Sequence, residues 1–591
     1  MRPRTGRTWV ISIWFLDDDN IETVFDAALS ITFLILSNAL RTQRDLERYW
    51  VVRHQTYRSV SHSVSNNSPA QPQGNDHMTR SHVDFAKCVD ALFSKFSGPE
   101  MPGAVVAVTE NGREIFASAY GLANINDDVP MGRKTIIRIG SQSKQFTVLL
   151  ILMLEAEGKL SLQDDVQKHL PYVPRLEHPV TLRQLASNTS GYRDFLAAMF
   201  VSGRSIYTPS DRQTIREIIA RQDSLNFKPG SAMIYSNSGF FMLYEIIEQI
   251  EGATFDEVLR NRITGPLGMC DTSLMLHDGS VMKRLAAHYT KRADGWAQLG
   301  WGVEEDGGGG IVSTLDDMVV WQQNLNNPKV GTAEMYQRMA TPCVFDNGAT
   351  GLYGLGLVTD VYRGRRTVGH GGSVAGGKSQ SMRFIDDGLG IVIIANNDQV
   401  AAFAAARRIA DIYFGTVAPA QIELAPGRYR QEGGPDVFEL VAKNGVPTFL
   451  SSGGVTAFDF GHPGGAKPER GITDLVLSPR PDGKIDGTFC GTPRVYAPLG
   501  ADAKATASLT GRYTNKAQAL EVEIQSDAQR GVLRLRSDFG AMNAPIVAAD
   551  SDLWFLLQPD SDLPWTATLI VTEEGFEMNT DWVKKLRFTR V

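Results

Sequence analysis

Hydrophobic positions divide the chain into a part with helical periodicity and a part with strand-like alternation. Before about residue 418, long apolar or amphipathic runs predict helices, most clearly at Phe146–Leu154 and Gly239–Ile250. After Ala418-Pro419-Ala420 the helical pattern stops, and short alternating segments separated by Gly, Asp and Pro follow. Such segments predict antiparallel strands joined by turns. The chain therefore combines an α+β region with a region made of strands.

The strand-rich region contains two copies of one unit. The triplet Gly427-Arg428-Tyr429 recurs as Gly511-Arg512-Tyr513, and each copy opens a stretch of similar length that ends in a similar strand. Several short strands at regular spacing predict a small barrel, and the repeat predicts two of them. We therefore expect two β-barrels, at residues 424–505 and 509–591.

The first 77 residues do not share the pattern of the rest. Ala27–Leu40 is an uncharged, largely apolar run of 14 residues, which is short for a membrane span. Acidic residues precede it, which is the wrong charge for a secretory signal, and Ser61–Asn75 has the composition of a disordered linker. We interpret residues 1–77 as a disordered extension or an overlong gene start of no catalytic importance, with a membrane anchor as the alternative.

Composition fits a protein of several globular domains. The 591 residues exceed what one core usually supports, and 42% are hydrophobic and 21% charged. The net charge is −7 without a basic run in the body, so we do not expect nucleic acid as a partner. The four cysteines are widely scattered and form neither a disulfide framework nor a metal-ligand pair. We expect a cytoplasmic protein with no metal and no other cofactor.

The strongest chemical signal is the segment Ser141–Lys144, directly before the first apolar helical run. Residues three apart on a helix are neighbours, so Lys144 can reach the Ser141 hydroxyl. A helix N-terminus favours negative charge, and burial weakens the preference of a lysine for its charged form. These residues are predicted to be a nucleophile and its base. The same spacing at Ser280–Lys283 lacks a following apolar helix and is interpreted as a coincidence.

Two later motifs supply partners for this pair. Tyr235 and Asn237 follow a Pro-Gly turn, and in an extended segment residues two apart project to the same side. Tyr235 can then relay a proton, and Asn237 can hold a substrate carbonyl or orient Lys144. Next to the strand-like run Arg366–Val368, two glycines allow close approach of a substrate, and a backbone N–H can form half of an oxyanion hole. The predicted site residues are Ser141, Lys144, Tyr235, Asn237, His370, Gly371, Gly372 and Ser373.

Other motif interpretations fail on their context. Residues 372–379 fit the P-loop pattern, but the following segments predict a hairpin instead of the helix that such a site needs. No serine lies in a G-x-S-x-G elbow, and no histidine lies in an H-E-x-x-H pattern. We therefore reject an ATPase, an α/β-hydrolase and a zinc protease.

The order S-x-x-K, Y-x-N and H-x-G resembles the serine β-lactamase and penicillin-binding superfamily, and within it the D-stereospecific aminopeptidases. Further matches are Asn188–Gly191 and Gly308–Thr314. The resemblance implies a β-lactamase/transpeptidase-like catalytic domain, an antiparallel sheet with helices, at residues 78–418, followed by the two barrels. It also implies that His370 replaces the lysine that meets a substrate carboxylate in the lactamases. A mostly neutral imidazole weakens that attraction, which fits an enzyme reading an N-terminal residue.

The implied function is a serine hydrolase that removes N-terminal D-amino acids through an acyl-enzyme. Its substrate would be a small peptide or an amino-acid amide, with β-lactams as inhibitors and a homodimer as the assembly considered. One alternative is a β-lactamase-like esterase or amidase that uses the same residues on another substrate. Another is a non-catalytic penicillin-binding module. The sequence leaves open whether Lys144 or Tyr235 is the base, since their titrations would be coupled.

The resemblance also implies a specificity loop in the last barrel. In these aminopeptidases a loop of that barrel enters the cleft, and an acidic side chain there meets the substrate ammonium. The matching region here is about residues 536–549, which is shortened and has Asp538 as the only carboxylate in its front half. A solvated loop aspartate is the alternative. The candidate loop residues are Asp538, Phe539, Gly540, Ala541, Met542 and Asn543.

Overall fold

A computed structural model describes residues 82–205, 207–416, 422–443, 446–452, 454–462, 465–469, 474–500, 504–506, 508–557 and 565–591. The predicted extension at residues 1–77 therefore lies outside the described residues. Across the described ranges, no helix is both long enough and apolar enough to cross a bilayer.

An antiparallel sheet of six strands is the centre of the part before residue 415. In order across the sheet the strands span Val358–Tyr362, Arg365–Val374, Gly377–Phe384, Leu389–Ala395, Ala104–Glu110 and Arg113–Tyr120. The strands of this part are β1 (Ala104–Glu110), β2 (Arg113–Tyr120), β3 (Leu122–Asn124), β4 (Val129–Pro130), β5 (Ile137–Arg138), β6 (Ser273–Leu274), β7 (His288–Arg292), β8 (Gly295–Leu299), β9 (Ile311–Ser313), β10 (Val358–Tyr362), β11 (Arg365–Val374), β12 (Gly377–Phe384) and β13 (Leu389–Ala395). The predicted hairpin after the P-loop-like segment is confirmed as β12 and β13.

Helices cover both faces of this sheet. They are α1 (His82–Phe93), α2 (Lys144–Ala156), α3 (Val166–His169), α4 (Leu182–Ala186), α5 (Phe195–Val201), α6 (Arg212–Ala220), α7 (Asn237–Glu251), α8 (Phe255–Leu259), α9 (Gly265–Leu267), α10 (Leu315–Asn326), α11 (Ala333–Ala340) and α12 (Ala402–Phe414). Short 3₁₀ turns lie at Ser94–Phe96 and Gly140–Ser143, and a π turn lies at Arg260–Thr264. Strands β1 and β13 are buried along nearly their whole length because side chains on both faces meet a helical layer.

The two predicted helices are confirmed with longer bounds. Helix α2 contains the run Phe146–Leu154 and is buried almost all round, as expected for a helix without a polar face. Helix α7 contains Gly239–Ile250 and ends at Gly252, whose φ of 62° lies in the left-handed region that glycine adopts without strain. Both helices belong to one hydrophobic core, so the segments that carry the site motifs adjoin firmly packed helices.

Two eight-stranded barrels follow, which confirms the predicted fold class. The first barrel comprises β14 (Gly427–Gln431), β15 (Val437–Lys443), β16 (Val446–Ser451), β17 (Gly454–Asp459), β18 (Lys467–Pro468), β19 (Leu475–Pro479), β20 (Ile485–Phe489) and β21 (Thr492–Pro498). The second barrel comprises β22 (Gly511–Asn515), β23 (Leu520–Ser526), β24 (Arg530–Ser537), β25 (Gly540–Ala548), β26 (Leu553–Leu556), β27 (Ala567–Val571), β28 (Gly575–Asn579) and β29 (Leu586–Arg590). The first closes through paired backbone hydrogen bonds between Ala466 and Leu477, and the second closes completely. The domain boundaries themselves stay predictions.

The repeated triplet has the same structural role in both barrels. Tyr429 donates a hydrogen bond from its hydroxyl to the Ala425 carbonyl at 2.9 Å, and Tyr513 donates to Leu509 at the same distance. Each tyrosine ring is buried in the core of its own barrel. The two copies therefore open equivalent strands, each anchored by a buried ring whose hydroxyl bonds the chain four residues earlier.

Helix α5 and the residue two before it join the catalytic part to the second barrel. Ala197 and Val201 belong to the hydrophobic core of that barrel. Arg193 is 1% exposed and donates hydrogen bonds to the carbonyls of Lys584 and Lys585. A buried guanidinium needs such fixed acceptors, so this contact holds the start of α5 in place.

Candidate active site

Ser141 lies in the 3₁₀ turn between β5 and α2, with two polar side chains at its hydroxyl. The Lys144 Nζ lies 3.1 Å from the Ser141 Oγ, and the Tyr235 hydroxyl donates to that Oγ at 2.6 Å. The structure thus brings together the three residues that the sequence predicts as catalytic. Helix α7 starts two residues after Tyr235 and packs against α2. This packing brings Tyr235 close to Ser141 and Lys144, although it is distant from them along the chain.

Three acceptors surround the Lys144 ammonium, which is fully buried. Besides Ser141, the Nζ donates to the Asn237 Oδ1 at 2.8 Å and to the Gly308 carbonyl at 2.7 Å. Burial lowers the pKa of Lys144 to about 8, although the negative charges of Asp306, Asp194 and Glu305 oppose this shift. A fraction of the amine is therefore neutral near pH 7 and able to accept a proton.

Asn237 is positioned differently from the sequence prediction. An extended segment was expected to carry both Tyr235 and Asn237, but Asn237 is the first residue of α7, and only the residues before it are extended. Its amide still faces Lys144 because the helix starts there. Of the two predicted roles for this side chain, the structure shows the contact with Lys144.

Asp194 is a site residue that sequence analysis missed. Its carboxylate is buried and accepts from the Asn237 backbone N–H at 2.6 Å, from the Asn237 Nδ2 at 2.8 Å and from the Ala197 N–H at 2.9 Å. The contact to Nδ2 leaves the Asn237 Oδ1 to accept from Lys144. The only local signal was an aspartate preceding a short apolar helix, which predicts an N-cap but no link to a residue 43 positions later.

Asp306 is a second missed residue, on the other side of Lys144. Its Oδ1 accepts from the Gly308 N–H, and the Gly308 carbonyl accepts from the Lys144 Nζ. Burial raises the pKa of Asp306 to about 6, and the positive charge of Lys144 opposes that rise. Its neighbour Glu305 pairs with the buried Arg138 at 2.8 Å. The charge around the Lys144 amine therefore depends on whether these buried acids are protonated.

His370 lies beside Tyr235 within a hydrogen-bonded aromatic cluster. The His370 Nε2 is 2.8 Å from the Tyr353 hydroxyl, and the Nδ1 is 2.5 Å from the Gly371 carbonyl. With the proton on Nδ1, both contacts are satisfied by a neutral ring. Burial, with the nearby charge of Lys144, lowers the pKa of His370 to about 3. The imidazole is therefore neutral at physiological pH, and its two ring nitrogens are bonded to protein groups.

The glycines after His370 fit a packing role. They lie inside strand β11, so the strand extends beyond the predicted run Arg366–Val368. A Cβ at Gly372 would lie 1.9 Å from the Ile139 carbonyl oxygen, and a Cβ at Gly371 would lie 2.9 Å from the Gln380 Oε1. A Cβ at Gly140 would lie 2.9 Å from the Ser373 nitrogen. The glycines bring β11 against the turn of the nucleophile, with the Ser373 N–H beside it.

We expect Gly372→Ala to lower kcat by about 10²-fold, because the added methyl must push β11 away from Ile139 and misplace the turn of the nucleophile. Gly279→Ala is the control, since a Cβ there meets nothing within 4 Å. Steady-state kinetics of both variants, beside their thermal unfolding, would check this. Wild-type kcat in a folded Gly372→Ala protein would contradict the expected role.

In the described part of the chain, no group of three or more His, Cys, Asp or Glu side chains is arranged to hold a metal ion. The polar groups around Ser141 are hydrogen-bonded to one another, as the contacts of Lys144 and Asn237 show. The chemistry that the arrangement supports is acyl transfer to a serine, with an amine and a phenol as proton carriers.

Residues 89–414 match the Beta-lactamase family, a span that covers more than half of the chain and includes all three motifs. The chain belongs to this family. A D-aminopeptidase from Cereibacter sphaeroides is 30% identical over 334 residues, 56% of this chain and 63% of that protein. A D-aminopeptidase from Brucella anthropi is 30% identical over 299 residues, 50% of this chain and 56% of that protein. The chain thus aligns with less than two thirds of the length of each of these relatives.

One solved structure shares the fold over a larger part of the chain. The octameric penicillin-binding protein homologue from Pyrococcus abyssi covers 81% of this chain and 99% of its own, with 19% sequence identity and a TM-score of 0.52. At this identity the likeness concerns the fold alone.

The predicted specificity loop of this Beta-lactamase family chain is a hairpin tip that docks on the catalytic domain. Asp538, which is exposed, forms an ion pair with Arg221 at 2.9 Å. The Ser537 hydroxyl donates to the Ser202 carbonyl at 2.7 Å, and Arg204 donates to the Phe539 carbonyl at 3.2 Å. Asp538 is therefore a largely exposed residue in a surface ion pair, and its contact with a substrate ammonium stays a prediction. No hydrogen bond among the described residues joins this hairpin to Ser141, Lys144 or Tyr235.

Proposed function

We propose that the chain is a serine hydrolase that removes N-terminal D-amino acids from peptides and amides through an acyl-enzyme on Ser141. The observation that carries the proposal is the contact of one serine hydroxyl with a buried lysine amine and a tyrosine hydroxyl, at 3.1 and 2.6 Å. Membership of the Beta-lactamase family and the 30% identity to proteins named D-aminopeptidase support it.

In the proposed reaction the Ser141 Oγ attacks the substrate carbonyl and transfers its proton to the Lys144 amine, directly or through Tyr235. The oxyanion is stabilised by the backbone N–H groups of Ser141 and Ser373. The proton then passes to the nitrogen of the leaving amine, and the C–N bond breaks. A water molecule releases the acyl group from Ser141 by the same proton transfers in reverse.

The electrostatics favour Lys144 over Tyr235 as the group that loses its proton. Burial raises the pKa of the Tyr235 phenol well above its usual range, and the charges of Asp194 and Asp306 add to the shift. Burial acts oppositely on the lysine, since it disfavours the charged form of both groups. We therefore assign Lys144 as the proton acceptor and Tyr235 as a neutral relay to the leaving nitrogen.

A pH profile tests this assignment. We expect kcat/KM to rise as the pH passes about 8, where Lys144 becomes neutral. The negative charge of Asp306 raises the Lys144 pKa, so Asp306→Asn should lower that pKa and move the rising limb to lower pH by about one unit. Asn retains an oxygen that accepts the Gly308 N–H, and the substitution leaves Asp194 and Glu305 in place.

The control for this profile is Asp386→Asn, because Asp386 is exposed and pairs with Arg366 at the turn between β12 and β13. It should leave the rising limb unchanged. A limb that stayed in place in Asp306→Asn would show that a group other than Lys144 governs it.

Substrate choice is tested with D-alanine p-nitroanilide, its L-isomer and its N-acetylated form. Hydrolysis of only the D-compound with a free amine would support the aminopeptidase proposal. Cleavage of none of the three, together with activity on a simple ester or a chromogenic cephalosporin, would replace it with the esterase or β-lactamase alternative. The N-acetylated compound tests ammonium recognition directly, because Asp538, the carboxylate predicted to meet the substrate ammonium, forms a surface ion pair with Arg221.

β-Lactams are proposed to acylate Ser141, since they present a strained amide carbonyl to the same nucleophile. Labelling with a fluorescent penicillin would detect the adduct. The cytoplasmic location, the homodimer and the non-catalytic alternative stay predictions that further experiments must decide.

A further inference from the structure

A cavity of about 400 Å³ lies where the two barrels meet the chain segment that leads to Tyr235. Its volume falls in the range of small-molecule sites, and the mouth of a small barrel is a common place for one. Its wall includes the first-barrel residues Phe438, Phe449 and Tyr496, the second-barrel residue Trp565, and Tyr235 of the catalytic domain. The wall thus contains aromatic side chains from both barrels and includes a proposed catalytic residue.

Five charged residues are among those that line the cavity. Asp436 pairs with Lys584 at 2.8 Å and also with Arg494, so this carboxylate is shared by two cations. Asp581 accepts hydrogen bonds from two serine hydroxyls, and Lys585 adds a third cation to the wall. Three cations against two carboxylates favour a ligand that carries one negative charge.

Tyr235 connects the cavity with the proposed reaction. Its hydroxyl lies 2.6 Å from the Ser141 Oγ, and the residue also lines the cavity. In the proposed mechanism this hydroxyl relays a proton to the leaving nitrogen, so the leaving nitrogen must lie against Tyr235. Among the described residues of the proposed site, Tyr235 is the one that lines the cavity. A leaving portion that extends past its phenol would therefore enter the cavity.

We propose that the cavity binds the leaving portion of the substrate, and that this portion is a short peptide segment with an apolar or aromatic residue after the scissile bond and a free C-terminal carboxylate. The aromatic wall would bury the side chain, and Lys584 and Arg494 would meet the carboxylate. The inference rests on the proposed function and adds to it a substrate class, short peptides in preference to simple amides.

The test compares D-alanyl-L-phenylalanine with its C-terminal amide on the wild-type protein. We expect kcat/KM to be about tenfold higher for the free acid, because only the acid presents a charged partner to the cations. Equal values, or a higher value for the amide, would overturn the proposal. D-Alaninamide is measured alongside, because its leaving group is ammonia and does not reach the cavity.

Two variants test whether the cavity residues cause the preference for the free acid over the amide. Lys584→Gln should reduce the ratio of kcat/KM values between acid and amide towards one, whereas Lys516→Gln, an exposed lysine of the same barrel, should leave the ratio unchanged. Should Lys584→Gln fail to fold, Ser452→Phe places a side chain in the cavity and should lower kcat/KM for the dipeptide more than for D-alaninamide. An unchanged ratio in both folded variants would contradict the assignment.

The same experiment separates the two proposals. Hydrolysis of D-alaninamide without discrimination between the acid and amide forms of the dipeptide would leave the proposed function standing and overturn the cavity assignment. If no D-substrate were hydrolysed, the proposed function would be overturned. The cavity assignment would then fall as well, because it rests on the proposed function.

Discussion

Ser141→Ala is expected to lower kcat on any cleaved substrate by about 10⁴-fold or more, with the fold intact. Among the described residues, the Ser141 hydroxyl is the only group at the centre of the site that lies between the Lys144 amine and the Tyr235 phenol. Its Oγ is 3.1 Å from the Lys144 Nζ and 2.6 Å from the Tyr235 hydroxyl. Removing it leaves a proton acceptor and a relay without a nucleophile. The neighbouring Ser143 hydroxyl cannot replace it, since that hydroxyl donates to the Gly140 carbonyl and accepts from the Ile311 N–H.

The measurement is steady-state hydrolysis of D-alanine p-nitroanilide, with mass spectrometry of the protein after exposure to a β-lactam. Ser280→Ala is the matched control because Ser280–Lys283 repeats the spacing of the nucleophile motif outside a helix. It should retain full activity and labelling. Full activity in Ser141→Ala, or a covalent adduct on that variant, would show that the nucleophile lies elsewhere.

Lys144→Met is expected to have the second-largest effect, a loss of about 10³-fold in kcat. Methionine approximates the length of the lysine side chain but cannot accept a proton or donate to the Asn237 Oδ1 and the Gly308 carbonyl. The loss of the cation also leaves Asp194 and Asp306 buried without their opposite charge, which favours their protonation. The rising limb near pH 8 should disappear with the amine that produces it.

The control is Lys283→Met, since Lys283 is exposed and takes the lysine position of the coincidental motif. It should retain both the rate and the shape of the pH profile. Circular dichroism would verify that Lys144→Met is folded. A rising limb that persisted near pH 8 in the folded variant would assign the proton acceptor to another group and return Tyr235 to consideration.

Local sequence patterns predicted the architecture well because each depends on neighbouring residues. The repeated Gly-Arg-Tyr triplet marked two barrels, and in each the tyrosine hydroxyl bonds a carbonyl only four residues away. The apolar run after Ser141 marked α2 because the helix is buried almost all round and needs no polar face. Such features involve few residues, so they remain visible in a single sequence.

Long-range contacts explain what the sequence did not show. Asp194 and Asp306 control the surroundings of Lys144, yet they reach it through Asn237 and Gly308 from distant parts of the chain. Neither acid lies in a sequence motif that identifies the residues it contacts in the fold. Asp538 also forms a contact that the sequence did not show, a surface ion pair with Arg221 from a distant part of the chain.

The sequence by itself determined which residues can carry the chemistry. The spacing of Ser141 and Lys144 makes them neighbours on one turn, whatever surrounds them. Only the tertiary structure decided how acidic that lysine is, because its pKa follows from complete burial and from acids brought in by other segments. The same is true of the cavity beside Tyr235, whose wall is assembled from three domains. The spacing of residues along a helix is a local property that the sequence shows directly. The desolvation of Lys144 and the enclosure of the cavity arise only after distant segments have packed together.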